Sequence, residues 1–410
     1  MNSPLRNFVV KNRSLTSRFL KNSALRKTAL VTCASAMTLA LILAVAQLAA
    51  AQTESIIYSF ANPPDAYGPR CNLVVDATGN MYGTTFSGGM HNLGAVFMVS
   101  PAGVETVVYS FAGGADGSHP IAGLARNAKT GNLYGTTIYG GATGNGTVFE
   151  LTPAGVESVL YSFKGGIDGA NPYSSVLRLG TTIYGTTING GAFGYGTVFK
   201  LTATGKETIL HSFNSAFPTL DGSYPYAGLV SYKGLLYGTT TLGGASNLGT
   251  VFSVTTNGAE ALVYSFKGGS NDGQGPNAGL VFDRSGNLYG TTYSGGTDNA
   301  GTVFAISAGS ESVLHNFHRN SSDGTNPYSN LILYKGNFYG TTLQGGGTAN
   351  GGTVFEITPG GAETVLHSFT GGADGFNPYS ALVVNAANTF YSTALQGGTS
   401  NLGTVFKLVR

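Results

Sequence analysis

The chain has 410 residues, of which 63 are glycine, 11% are aromatic and only 10% are charged, and tryptophan is absent. The formal charge of +2 is concentrated at one end: seven of the 21 basic residues lie between Arg6 and Lys27 without an acidic neighbour, leaving 14 basic against 19 acidic residues elsewhere. A mildly acidic body excludes a nucleic-acid surface, and glycines that recur at fixed positions exclude a low-complexity disordered chain.

Basic residues Arg6, Lys11, Arg13, Arg18, Lys21, Arg26 and Lys27 are followed by an apolar run from about Ala29 to Ala51. A basic segment, an apolar segment and a small-residue exit at Leu48-Ala-Ala-Ala-Gln52 predict a secretory signal peptide over residues 1–51. The run is also long enough for an uncleaved N-terminal anchor. The chain is therefore expected to be exported, to the cell surface, the periplasm or the medium, with no membrane span once the signal is removed. Cys33 falls in this leader, so Cys71 stands alone. That excludes an internal disulfide and a Cys-based metal site in residues 52–410; a packed, inert thiol is expected.

From residue 52 onward one unit recurs seven times. Tyr-Gly-Thr-Thr begins at Tyr82, Tyr134, Tyr184, Tyr237, Tyr289 and Tyr339, with a variant Tyr-Ser-Thr-Ala at Tyr391. Gly-(Thr/Ala)-Val-Phe begins at Gly94, Gly146, Gly196, Gly249, Gly301, Gly352 and Gly403. A third anchor ends at Phe60, Phe111, Phe163, Phe213, Phe266, Phe317 and Phe369, with spacings of 51, 52, 50, 53, 51 and 52. A fixed period of this size marks a repeat architecture.

Each unit divides into four short strands. In the second, the expected strands are 122–127, 133–137, 147–151 and 157–163, separated by Gly, Asn and Pro turns. The second to fourth strands are apolar on most positions, which predicts cover on both faces. Four strands and seven units predict an all-β, seven-bladed β-propeller of four-stranded antiparallel blades over residues 52–410. The segment from Ser55 to Phe60 supplies an outer strand, and the segment from Ser380 to Leu408 lacks one. The ring is thus expected to close by N-terminal strand pairing with the C-terminal blade.

Tyr-Gly-Thr-Thr, Gly-Gly, Gly-Thr-Val-Phe and Ser-Phe in this order resemble the GloVer-type tandem repeat of choice-of-anchor bacterial surface proteins, over about residues 54–410. The resemblance implies an exported tandem-repeat protein and brings no catalytic residues. The end at Val409-Arg410 predicts no C-terminal anchoring tail.

The longer loops, which join outer to inner strands and second to third strands, emerge together and form the candidate binding face. Each outer-to-inner loop carries an Asp four residues before a Pro: Asp65, Asp116, Asp168, Asp221, Asp272, Asp323 and Asp374. A ring of carboxylates would suit a cation or polar ligand, whereas an Asp-Gly turn would bond its own backbone. Sevenfold equivalence favours the turn. Tyr173, Tyr226, Tyr328 and Tyr379 follow that Pro and offer a sugar-stacking surface; packing between blades is the plainer alternative. His211, His315 and His367 occupy the Tyr position of Tyr-Ser-Phe and read as outer-strand substitutions. No metal centre, cofactor or catalytic constellation is expected. The function expected is a monomeric binding or scaffold module for carbohydrate or a protein partner. A glycan-active or lactone-hydrolysing propeller enzyme and a structural envelope protein are the rivals.

Overall fold

The computed structural model describes residues 53–215, 220–319 and 322–409. The expected signal segment, 1–51, lies outside them. Residues 53–409 form a single unit: seven antiparallel blades arranged as a β-propeller. Among the described residues no helix is long and apolar enough to cross a membrane.

Blade 2 shows how the repeat folds. Its strands run Ala125–Arg126, Leu133–Thr137, Thr147–Leu151 and Glu157–Ser162, from the inner to the outer edge. The three outer strands fall within a residue of the boundaries expected from the sequence. The inner strand is shorter, because the residues leading into it are held by the neighbouring blade instead of a ladder. The first Thr of each Tyr-Gly-Thr-Thr donates its hydroxyl to a carbonyl in the next blade: Thr84 to Ala122 (2.8 Å), Thr239 to Ala278 (2.9 Å), Thr341 to Ser380 (3.1 Å). Thr393 of blade 7 does the same to Cys71 of blade 1, at 3.4 Å.

The glycine of that motif has a steric cause. The Phe of Gly-Thr-Val-Phe, on the adjacent strand, lays its ring over it. A Cβ at Gly135 would stand 2.5 Å from Phe149 Cζ, and one at Gly238 would stand 2.6 Å from Phe252 Cζ. The same Phe meets the terminal Phe of the preceding blade's outer strand edge-on, as in Phe111–Phe149 (5.2 Å) and Phe213–Phe252 (5.0 Å). All of these rings are essentially inaccessible to water. In blade 7 the glycine is Ser392, fully buried, with its hydroxyl bonded to the carbonyls of Ser380 and Ala381.

A backbone bond crosses each interface as well. The residue before the loop Pro adopts positive φ, as at Asn171 (56°), Asn326 (58°) and Asn377 (54°). This turns its N–H onto a carbonyl of the preceding blade, for example Asn171 to Asn145 at 2.8 Å and Gly68 to Leu402 at 2.9 Å. Asn tolerates this left-handed conformation better than most residues. The strand Thr53–Ser59 lies antiparallel to Thr404–Val409, from Thr53 opposite Val409 to Ser59 opposite Thr404, as the fourth strand of blade 7.

Gly135→Ala is expected to lower stability by about 1–3 kcal/mol, because the Phe149 ring must move within a close-packed interface; urea unfolding measures it. Removing residues 53–60 takes away Phe60 and the outer strand of blade 7. The thermal midpoint should fall by several degrees, and an unchanged midpoint would show that this strand does not close the ring.

Candidate functional site

The residue after each loop Pro points to the axis of the propeller. There Arg70, Ile121, Tyr173, Tyr226, Asn277, Tyr328 and Tyr379, one from each blade, line a central pocket of about 190 Å³. Asn72, Gly123, Ser175, Gly228, Gly279 and Asn330 complete its wall two residues further on. The four tyrosines identified from the sequence thus share one site. Tyr173 and Tyr226 meet edge-on at 5.0 Å, and Tyr328 and Tyr379 tilt against each other at 4.3 Å.

Burial pushes the phenols of Tyr173, Tyr328 and Tyr379 well above the usual tyrosine range, and their mutual proximity adds to this; Arg70 pulls the other way. All three remain neutral donors at any physiological pH. The Arg70 guanidinium sits 5.3 Å from the Phe86 ring centre and 5.7 Å from that of Tyr379. Its Nε is buried and has no hydrogen-bond partner. Asn72 and Asn330 spend their carbonyl oxygens on the backbone N–H groups of Ala381 (2.7 Å) and Gly279 (2.6 Å), which leaves their amide N–H groups as donors at the wall. No carboxylate is among the lining residues. The pocket is therefore rich in hydrogen-bond donors, aromatic, and singly positive.

The loop aspartates do not reach it. Asp116 accepts from the Tyr109 hydroxyl (2.7 Å) and the Ala112 N–H (2.6 Å), and Asp168 from Tyr161 (2.6 Å) and the Lys164 N–H (2.7 Å). Asp272 is held by Tyr264 and Lys267, and Asp374 by Thr370. Asp221 and Asp323 face His211 and His315. Each carboxylate ties its own loop to the outer strand instead of forming a ring at the channel mouth. Every outer strand carries a bulge just before this Tyr or His, for instance between Val107 and Tyr109 opposite Val96 and Phe97, and a bulge re-aims the side chain that follows it. Cys71 is fully buried, accepts the Thr84 N–H at 3.0 Å, and has its thiol pushed up to about 11 by burial.

Sequence reasoning missed a second set of carboxyls. A Glu stands first or second in each outer strand, and it lies beside the loop Asp of the preceding blade: Glu105 by Asp65, Glu157 by Asp116, Glu54 by Asp374. Burial, and then the facing Asp, push Glu54, Glu105, Glu157, Glu207, Glu311 and Glu363 up to about 7. Glu260 shifts the same way, with His211 opposing. The detectable signal was a Glu at one repeat position in all seven units.

A family model described as the Gloeobacter/Verrucomicrobia repeat matches residues 44–232 and 181–406. The chain belongs to the Gloeobacter/Verrucomicrobia repeat family. No curated protein matches it. Among solved structures, it is similar to a putative 6-phosphogluconolactonase from Bacteroides uniformis at 14% identity, over 80% of this chain and 94% of that one, with a TM-score of 0.48. A putative 6-phosphogluconolactonase from Bacteroides fragilis is similar at 16% identity, over 81% and 97%, with a TM-score of 0.46. A gluconolactonase from Xanthomonas campestris is similar at 12% identity, over 77% and 89%, with a TM-score of 0.41. Likeness this distant transfers no activity to the repeat family member described here.

A carboxyl whose pKa is higher in the folded chain stabilises the fold below its unfolded value, and that contribution disappears as pH rises through the folded value. The glutamates therefore predict a thermal midpoint that falls as pH rises from about 4.5 towards about 7. His119 and His367, both lowered by burial, oppose this over part of the window, but seven glutamates outweigh them. Glu105→Gln should flatten the slope and raise the midpoint at pH 8. A midpoint that is flat or rising between pH 5 and 7 would contradict the pairing.

Proposed function

We propose that the protein is an exported binding module whose central pocket takes a small, hydroxyl-rich ligand bearing a carboxylate, with an acidic sugar residue as the fitting class. The observation that carries this is the convergence of four tyrosines and one unpaired arginine, without a carboxylate, on one pocket. Tyrosine faces stack on the C–H faces of sugars while their hydroxyls donate. Arginine reads a carboxylate through a planar fork of donors. A cation without an acidic neighbour favours an anion over a neutral ligand. A pocket of about 190 Å³ lies below the usual range of roughly 300–1,000 Å³ for drug-sized ligands, so it suits one terminal ring better than a buried chain. Export rests on the leader at residues 1–51, with its basic start and Ala-rich exit.

A hydrolase at this place would need a group of tuned pKa to move a proton at neutral pH. The lining offers phenols raised well out of that range, which favours binding over turnover of a lactone or glycosidic bond.

Calorimetry against uronic and aldonic acids, with their neutral parent sugars as controls, tests the proposal, and a hydrolysis screen runs on the same panel. The acidic ligands should bind at least tenfold more tightly than the neutral ones. Arg70→Gln should erase that difference, and Tyr379→Ala should weaken both classes. Turnover of any panel member that survives Arg70→Gln and Tyr379→Ala, or equal affinity for acid and parent sugar, would overturn it.

A further inference from the structure

At four blade interfaces the loop Asp accepts a phenol: Tyr58 to Asp65 (2.8 Å), Tyr109 to Asp116 (2.7 Å), Tyr161 to Asp168 (2.6 Å) and Tyr264 to Asp272 (2.8 Å). At the other three the same place holds an imidazole, and at two of these the composition of the cluster changes in kind. His211, Asp221 and Glu260 each bring one ligand atom, and the three atoms lie within 4.8 Å of one another; so do those of His315, Asp323 and Glu363. His211 Nε2 is 2.9 Å from Asp221 Oδ2, and His315 Nε2 is 3.4 Å from Asp323 Oδ2. We propose that these two clusters bind a divalent transition metal of the zinc class, each ion bridging two adjacent blades.

The donor set, one imidazole nitrogen and two carboxylates, suits zinc, cobalt, nickel or manganese better than calcium or magnesium, which favour oxygen ligands throughout. A tetrahedral ion with bonds of about 2.0–2.1 Å holds its ligand atoms roughly 3.3 Å apart. The His–Asp pairs are already near that spacing, and the Glu ligand atom lies within 4.8 Å of both. The Asp in each is fixed in advance. Asp221 accepts the N–H groups of Gly222 (2.7 Å) and Asn214 (2.8 Å), and Asp323 those of Gly324 (2.7 Å) and His318 (2.9 Å). Hydrogen bonds of this kind orient a carboxylate ligand.

A second observation bears on the His315 cluster. His315 Nε2 and Glu363 Oε1 are both shielded from water and have no hydrogen-bond partner. The Glu oxygen shares this state with its counterparts Glu54, Glu105, Glu157, Glu207 and Glu311, whereas the imidazole nitrogen facing it is special to the His-bearing interfaces. Buried polar atoms normally find a partner, and an ion between the two would satisfy both together. It would also offset the repulsion between Asp323 and Glu363 that helps to push the latter up. The His and Asp side chains keep 14–19% of their exposure, enough for the ion to enter and retain a water. His318 is not a ligand: its Nδ1 faces Asp298 at 3.1 Å. A third interface places His367 Nε2 3.6 Å from Asp374 Oδ2; its three potential ligands are not within the same compass as the other two sets, and it is not included.

The repeat supplies variants that should keep the fold, because Tyr occupies the His position in four blades. The protein is stripped with EDTA, dialysed and titrated with ZnCl₂ by calorimetry, with CoCl₂ absorption as a second readout. Two ions per chain are expected, with a rise in thermal midpoint on zinc addition. His211→Tyr and His315→Tyr should each remove one ion, and the double variant both, with metal-free midpoints near that of the parent. Glu260→Gln and Glu363→Gln should weaken zinc binding at least tenfold, an independent check should a Tyr variant fold poorly. Fewer than one ion bound by the parent, or parental binding by the double His→Tyr variant, would overturn the proposal.

Discussion

A phenylalanine ring laid across a glycine is the constraint on which the rest of this propeller depends. It sets the distance between the second and third strands, as where Phe149 covers Gly135. It also presents the ring's far side to the edge of the preceding blade's terminal Phe. Seven such contacts run round the molecule, from Phe60–Phe97 to Phe369–Phe406, with centroids 5.0–5.2 Å apart. Edge-on aromatic pairs add directionality to the burial of apolar area. The blades are thereby fixed in angle as well as pressed together. The Thr hydroxyls then satisfy backbone carbonyls leading into the short inner strands, and the loop N–H groups satisfy carbonyls between the second and third strands of the preceding blade, such as that of Asn145.

This arrangement explains why the axis and the rim differ in character. At the axis, the post-proline position is not needed for blade packing, so it varies: Arg70, Ile121 and Asn277 stand where four other blades have Tyr. At the rim, the Asp and Glu positions are used structurally in every blade and hardly vary. A pocket that breaks the sevenfold pattern is better suited to recognising an asymmetric molecule than the uniform ring of carboxyls around it.

Much of this was legible in the sequence, for a physical reason. Strand–turn–strand hairpins are local, so the boundaries of the second, third and outer strands could be read from runs such as Leu133–Thr137 and Glu157–Ser162. The post-proline tyrosines were visible because they recur after the loop Pro in four of the seven units. Arg70 departs from them in the same column, and comparing that column alone would have singled it out. The inner strand was overextended, because its leading residues bond to a neighbouring blade that no local pattern specifies. The Glu–Asp pairs were invisible for the same reason. Glu105 and Asp65 belong to different units, and only the ring brings them side by side. Likewise His211 and Asp221 are near neighbours along the chain, but Glu260 arrives from the next repeat.

The kink that each outer strand carries ahead of its Tyr or His has an outcome beyond aiming that side chain. A straight border strand presents an unbroken row of N–H and C=O groups on which another polypeptide can lengthen the sheet. Here all seven borders lose register at the same height, as between Val159 and Tyr161 or Val263-flanking Leu262 and Tyr264. An incoming extended segment would match only a few residues before falling out of step. The perimeter thus resists edge-to-edge growth, and the molecule can carry many near-identical sheets without adding to them from outside.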